Sequence, residues 1–149
     1  MSSTHLKLSE FIPYCLSVVS NEISNTIALS YQQKFAIDLH QWRVMAVLGE
    51  ESKLSAQDVA ERTAMDKVPV SRAVKKLMQS EMISRTFAVS DKRRSILTLT
   101  SKGEGIYQQI VPLAKSYEAQ LLGQLSEFEV KELVKLLNKL RKANDNLNL

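Results

Sequence analysis

The chain has 149 residues, and its 44% hydrophobic and 24% charged content is that of an ordinary globular protein with one domain and room for helical extensions. We expect no membrane span and no signal peptide, because no apolar run approaches about 20 residues and residues 1–10 lack a basic region followed by an apolar core. The single cysteine, Cys15, cannot form an internal disulfide, so the expected compartment is the reducing cytoplasm. With only 4 Gly and 3 Pro, the composition favours helices over a turn-rich β protein.

The net charge of +4 is concentrated in the middle of the sequence. Residues 53–103 contain 11 Lys and Arg against 5 Asp and Glu, whereas the rest of the chain contains 9 against 11. A basic centre between mildly acidic ends predicts that the middle meets a polyanion such as nucleic acid. A basic face that meets only solvent is the alternative that charge alone leaves open.

The first predicted element is a long amphipathic helix over residues 8–34, with Pro13 near its start, where the missing N–H is tolerated. Its apolar side chains recur at helical spacing at Phe11, Ile12, Leu16, Val19, Ile23, Ile27 and Tyr31. A small domain cannot cover so long a stripe alone. We therefore expect this helix to pack against a partner.

Two shorter helices follow, and each begins at a capping-box pattern. The two patterns are Asp38 with Gln41, and Ser55 with Asp58. The first helix is predicted over residues 39–48 with Gly49 as its end, and the second reaches about residue 63. Residues 64–66 then turn the chain into a third helix.

This third helix is predicted to reach about residue 80 and to have two distinct faces. Its core stripe consists of Val70, Ala73, Val74, Leu77 and Met78. The opposite face carries Val68, Arg72, Lys75 and Gln79, with Pro69 and Lys76 beside them. The apolar stripe would hold the helix on the domain and leave the polar and basic face free.

The apolar period then changes from that of a helix to that of strands. Residues 83–88 and 95–99 are short runs rich in β-branched and apolar side chains, and the polar residues 90–94 lie between them. The pattern predicts a two-stranded hairpin with a basic tip. We expect no other β structure in the chain.

Two long helices end the sequence. Thr100 is the expected cap of the first, which reaches about residue 122 and should bend at Pro112. Ser126 with Glu129 predicts the start of the second. Both carry continuous apolar stripes, so we expect them to join the first helix of the chain in a helical layer shared by two copies.

The order of these elements describes a mainly α fold with a small β-hairpin wing, which is the arrangement of a winged helix-turn-helix domain. We predict that residues 37–100 form this DNA-binding domain. Residues 1–36 and 101–149, from both termini, are predicted to form a helical dimerisation region. Two-fold symmetry would then place two reading helices on successive major grooves of a palindromic site.

The sequence resembles the MarR family of bacterial transcriptional regulators over about residues 10–140. The resemblance rests on WRVMAVL at residues 42–48, LSAQDVA at 54–60, MDKVPVSRAV at 65–74, DKRR at 91–94, and LTLT at 97–100 with Gly103. It implies a homodimer with a winged-helix domain on each subunit, in which the helix over residues 66–80 reads the major groove. It also implies that Arg93 of the wing lies in or near the minor groove and that Asp91 steadies it.

The candidate DNA contacts differ in chemistry. Arg72 is long enough to reach a base edge or a phosphate, whereas lysines suit phosphates because an ammonium is a point charge. Ser71 could contact DNA or be plainly exposed, while Val68 and Pro69 could touch a thymine methyl group or only shape the first turn. The full set of candidates is Lys67, Val68, Pro69, Ser71, Arg72, Lys75, Lys76, Asp91, Lys92, Arg93 and Arg94.

The resemblance also implies a small aromatic or anionic effector, bound between the dimer layer and the DNA-binding domain. The candidate effector contacts are Tyr14, Cys15, His40, Trp42 and Met45, with a plain core role as the alternative for Trp42 and Met45. Cys15 lies on the first helix, where some relatives that sense organic hydroperoxides carry a reactive cysteine, and a quiet helix cysteine is the alternative. Two histidines and one cysteine far apart give no metal-site spacing, and no cofactor is expected.

We therefore predict a homodimeric regulator, a repressor rather than an activator, that binds a pseudo-palindromic site in double-stranded DNA and is released by an effector. An enzyme is not expected, because the sequence has no phosphate-binding glycine loop and no nucleophile motif. The alternatives are an oxidant sensor that uses Cys15, a winged-helix module that binds protein instead of DNA, and a helical protein that only binds small molecules.

Overall fold

The computed structural model describes residues 4–87 and 95–147. Within these ranges the chain forms six α-helices and three strands. The helices are α1 (Ile12–Phe35), α2 (Leu39–Glu50), α3 (Ala56–Thr63), α4 (Lys67–Gln79), α5 (Ser101–Leu121) and α6 (Glu127–Asp145). The strands are β1 (Leu54–Ser55), β2 (Ile83–Phe87) and β3 (Ser95–Leu99), and 3₁₀ turns occupy Leu8–Glu10 and Leu122–Gln124. The mainly helical fold with a small β wing is confirmed.

Short polar side chains fix the starts of four helices, as the sequence predicts. The three capping boxes form at Asp38 with Gln41, Ser55 with Asp58, and Ser126 with Glu129. The Gly103 amide donates to Thr100 Oγ1 over 3.0 Å at the start of α5. Each cap satisfies a backbone N–H that has no partner within its helix, and losing one costs about 1 kcal/mol.

The prediction that α2 ends at Gly49 is wrong. The helix continues through Gly49 to Glu50, and the chain beyond it takes up a left-handed conformation only at Lys53, with φ of 64°. Gly49 has another role, because a Cβ there would lie 2.3 Å from the ring of Tyr107. The missing side chain lets α5 approach α2 closely, and sequence alone does not separate such a glycine from a helix-ending one.

The sheet has one strand more than the sequence predicts. The order is β1-β3-β2 with antiparallel pairing throughout, and β1 pairs with β3 through Leu54 opposite Leu97. The expectation of a hairpin alone is therefore wrong, although β2 and β3 pair as predicted, with Arg85 opposite Leu97. A two-residue strand is too short to show a period of two, so pairing across the sheet defines it. The predicted tip, residues 88–94, lies outside the described residues.

The core of the winged-helix part is built on the apolar stripe of α4. Four of its predicted members are at most 2% exposed, namely Val70, Ala73, Val74 and Leu77. They share the interior with Val44, Met45 and Leu48 of α2 and with Leu97 of β3. Burial of this stripe holds the opposite face of α4 at the surface.

Packing divides the chain into two compact units, Met1–Val111 and Pro112–Leu149. No described residue of the second unit is buried, although α6 carries a run of large apolar side chains. The predicted boundaries at residues 36 and 100 separate a DNA-binding domain from a dimerisation region, and this functional division stays a prediction. The predicted bend of α5 at Pro112 also stays a prediction. Among the described residues, no helix has the length and apolar character needed to cross a membrane.

Candidate nucleic-acid interface

The outer face of α4 is the surface that the fold leaves free for a partner. Val68, Ser71, Arg72 and Lys75 are exposed, and Pro69 is half-buried in the first turn. Proline fits there because the first-turn N–H groups have no partner within the helix. The predicted two-faced helix is thus confirmed.

Positive charge dominates this outer face. Lys67, Arg72, Lys75 and Lys76 all lie on α4, which contains no acidic residue. Among the described residues, no carboxylate lies within 4.0 Å of the first three. Lys76 differs, because its Nζ lies 3.2 Å from Oδ2 of Asp38, the residue that caps α2. The helix therefore presents three cations without a carboxylate partner among the described residues and one that is already paired.

The wing contributes a second exposed edge. Along β2 every residue after Ile83 is exposed, including Arg85 and Phe87. Arg85 is a surface cation that is missing from the candidates predicted from sequence, and its position in the strand pattern is the signal that could have found it. The candidates Asp91, Lys92, Arg93 and Arg94 lie outside the described residues.

A neighbouring cation on α3 is bound within the protein. Arg62 donates a hydrogen bond to Glu51, and this hydrogen bond raises the pKa of the guanidinium above its ordinary value. The Glu51 carboxylate partly neutralises the positive charge of Arg62. Within the described residues of α3 and α4, the basic surface is therefore mainly that of α4.

The five effector candidates do not form one pocket within a single chain. Met45 is fully buried, His40 is exposed, and Trp42 is half-buried, with its ring 5.2 Å from that of Tyr31. Tyr14 and Cys15 lie near the other end of α1, about 25 Å from Tyr31 along the helix axis. The effector site stays a prediction.

The thiol of Cys15 is turned towards the start of α1. Its Sγ donates to the carbonyl oxygens of Ser9 and Leu8, at 3.4 and 3.7 Å. The oxidant-sensing role stays a prediction. Among the described residues, no three His, Cys, Asp or Glu side chains are placed to share a metal ion.

Tyr31 stands out in the aromatic cluster with Trp42 and Tyr107. Its side chain is 1% exposed, burial raises its pKa to about 12, and its hydroxyl has no hydrogen-bond partner among the described residues. A buried hydroxyl without a partner costs about 1–3 kcal/mol relative to a satisfied one.

Replacing Tyr31 with phenylalanine should therefore raise the free energy of unfolding by about 1 kcal/mol, a rise in Tm of about 3 °C. Above pH 10 the unfolded chain ionises this phenol while the folded chain keeps it neutral, so the wild-type protein loses stability between about pH 10 and 12. The variant should lack this part of the loss. Thermal melts at pH 7 and pH 11 measure both effects, and a lower Tm of the variant at pH 7 would contradict the unsatisfied hydroxyl.

The fold and its exposed cationic helix define a winged helix-turn-helix transcriptional regulator. A model of the MarR family matches residues 37–94. The HTH-type transcriptional regulator BilQ of Clostridium symbiosum is 34% identical over 113 residues, which cover 76% of this chain and 78% of BilQ. The HTH-type transcriptional regulator MgrA of Staphylococcus aureus is 28% identical over 145 residues, 97% of each chain.

Solved structures agree with these relatives. The MarR/EmrR family transcriptional regulator from Acinetobacter sp. ADP1 has a TM-score of 0.89 and 31% identity, over 95% of this chain and 100% of that one. The chain belongs to the MarR family, as its sequence suggests. Because these relatives are transcriptional regulators, the prediction that the chain is not an enzyme is confirmed.

Two more distant structures share the fold. The S. aureus MepR–DNA complex has a TM-score of 0.80 and 23% identity, over 89% of this chain and 98% of MepR. A structure on the regulation of DNA binding of Bordetella bronchiseptica BpsR by 6-hydroxynicotinic acid has a TM-score of 0.83 and 21% identity, over 97% of this chain and 99% of BpsR. The fold is therefore found in a protein bound to DNA and in one controlled by a small molecule.

Proposed function

We propose that the protein is a cytoplasmic homodimeric repressor that places its two α4 helices in successive major grooves of a pseudo-palindromic operator. The observation that carries the proposal is the exposed cationic face of α4, opposite a stripe that is almost completely buried. A helix held in this way can enter a major groove without disturbing the core. The MepR–DNA complex supports the proposal, because a structural neighbour with this fold binds DNA.

The distribution of exposed apolar side chains supports the homodimer. Nineteen large hydrophobic residues are exposed among the described residues, and all but Val68 and Phe87 lie within residues 6–29 or 121–147. Such a concentration on terminal helices is typical of an interface and not of a free surface. A second copy of the chain, with the same faces, is the occupant we propose.

We assign different tasks to the cations. Arg72 lies on the central line of the outer face and reads a base edge or a phosphate, while Lys67 and Lys75 bind phosphates. For the wing we propose that Arg93 binds in or near the minor groove and that Asp91 orients the Arg93 side chain. Lys92 and Arg94 are proposed to bind phosphates of the DNA backbone. Val68, Pro69 and Ser71 shape the leading turn that enters the groove.

We further propose that a small effector weakens operator binding by changing the separation of the two reading helices. BpsR provides the precedent, because 6-hydroxynicotinic acid regulates its DNA binding. A coupling of about 1–3 kcal/mol between the two sites changes affinity about 5- to 150-fold, which is sufficient for a genetic switch. Of the effector candidates, His40 and Tyr14 are exposed, whereas Met45 is buried.

The test is operator binding by an Arg72→Ala variant. We expect a loss of about 1–3 kcal/mol, or about 5- to 150-fold in Kd, because the variant removes the central contact of α4. Gel shifts or fluorescence anisotropy with DNA upstream of the protein's own gene provide the measurement. Lys142→Ala, which removes one positive charge from α6, is the control and should bind like the wild type. Unchanged binding by Arg72→Ala would contradict the assignment of α4 as the reading helix.

A further inference from the structure

An ion pair joins the start of α2 to the proposed reading helix. The Lys76 Nζ lies 3.2 Å from Oδ2 of Asp38, across 38 positions of sequence. The other carboxylate oxygen, Oδ1, accepts the Gln41 amide at 2.8 Å, and the Asp38 amide donates to the Gln41 side chain at 3.0 Å. Because this capping box fixes the carboxylate, the long lysine side chain adapts to it.

Lys76 belongs to the DNA-facing side of α4 by its position. At 100° per residue it lies about 40° around the helix from Arg72, while Lys75 lies about 60° away on the other side. Both lysines are exposed. Among the described residues only Lys76 of this pair has a carboxylate within 4.0 Å.

We propose that Asp38 is a positioning residue that restrains operator affinity by holding the ammonium of Lys76 away from the DNA backbone. The inference rests on the proposed function, in which α4 meets DNA. A lysine contributes to DNA affinity by releasing counterions condensed on phosphates. A lysine contributes less to DNA affinity when it must first break an ion pair with a carboxylate. It also contributes less when the carboxylate stays paired with it at the phosphate.

The pair is suited to competition and does not lock the lysine in place. The two side chains are 59% and 36% exposed, and ion pairs with such exposure are weak. A phosphate can therefore displace Asp38, but the affinity gained is reduced by the loss of the pair. We expect removal of the carboxylate to strengthen operator binding by about 2- to 5-fold.

Asp38→Asn separates this role from the structural one. Asparagine is as good a helix cap as aspartate, so the Gln41 amide keeps its acceptor while the negative charge disappears. Operator affinity is measured by anisotropy from about 50 to 300 mM salt, a range over which phosphate contacts lose much of their contribution. The proteins compared are the wild type, Asp38→Asn, Lys76→Gln and the variant with both substitutions. Lys75→Gln is added as a control in the wild-type and the Asp38→Asn backgrounds. Thermal melts test whether these proteins fold alike.

We expect Asp38→Asn to bind more tightly than the wild type and to steepen the slope of log K against log salt by up to about 0.9, the value of one phosphate contact. Lys76→Gln should cost little in the wild type and much more in the Asp38→Asn background. Lys75→Gln is the matched control, because the loss it causes should be the same in the wild type and in the Asp38→Asn background.

Three outcomes overturn the inference. Tighter binding by Asp38→Asn that persists in the Lys76→Gln background shows that the carboxylate repels phosphate directly. If Asp38→Asn leaves operator binding unchanged while Arg72→Ala weakens it, Asp38 does not restrain affinity and the proposed function is unaffected. If neither substitution changes binding, α4 does not read the operator and the proposed function fails as well.

Discussion

Gly103→Ala should be strongly destabilising, although it adds only one methyl group near the start of a helix. A Cβ at this position would lie 1.9 Å from the carbonyl oxygen of Met82 and 2.9 Å from its carbonyl carbon. The obstacle is backbone, so no side-chain rotation relieves it. Moving the carbonyl also disturbs the hydrogen bond that it accepts from the Thr100 amide over 3.0 Å.

The expected loss is about 2–4 kcal/mol, the sum of overpacking and a weakened backbone hydrogen bond. For a chain of this size that lowers Tm by about 10 °C. Differential scanning calorimetry provides the measurement.

Gly105→Ala is a matched control for Gly103→Ala. It lies two residues further along the same helix, and beyond the neighbouring backbone of that helix no heavy atom of the described residues lies within 4 Å of the position that a Cβ would take there. Alanine is about 1 kcal/mol better than glycine inside a helix, so this variant should be slightly more stable than the wild type. If the two variants melt at the same temperature, the close approach of α5 to Met82 is absent from the protein in solution.

The two glycines with close neighbours mark the limit of sequence reasoning. Sequence identifies Gly103 only as part of a family pattern, and it places Gly49 where a helix end is expected. In both cases the reason for glycine is a neighbour from another element of the fold, Met82 or the ring of Tyr107. Local propensity does not contain this information, because it depends on how the elements pack.

Features encoded within a few residues are predictable. The capping boxes at Asp38, Ser55 and Ser126 form as expected, since cap and partner are three residues apart. The stripe of α4 follows from helical geometry, so the exposed face that carries Arg72 can be placed from sequence. The ion pair between Lys76 and Asp38 cannot be predicted from sequence, because it joins two helices whose relative position depends on how the core packs.

The largest expected effect on operator binding comes from a substitution in the apolar face of α6. Val130, Leu133, Val134, Leu137 and Leu140 share one side of the helix, and Leu137 is 40% exposed in a single chain. If this face is buried between two copies, Leu137→Glu places an unpaired carboxylate in an apolar interface. Symmetry places it there twice, and a buried charge without a partner costs several kcal/mol.

We expect Leu137→Glu to be largely monomeric at micromolar concentration and to bind the operator more than about 100-fold more weakly. The physical reason is that a monomer has a single α4 helix, whereas a second α4 helix tethered in the dimer increases the affinity of a single helix for DNA by about 10²- to 10⁴-fold. Analytical ultracentrifugation measures the association, and anisotropy with operator DNA measures the affinity. Circular dichroism reports whether the helices persist in the variant.

Lys135→Glu is the control for this substitution, since it lies about 160° around α6 from Leu137 and changes the net charge by two units instead of one. It should remain dimeric and bind the operator like the wild type, because its side chain stays in solvent. A Leu137→Glu protein that stays fully dimeric at micromolar concentration would show that the α6 face is not part of the interface. A variant that becomes monomeric yet keeps full operator affinity would instead show that one α4 helix and its wing suffice, and the symmetric operator would then lose its physical basis.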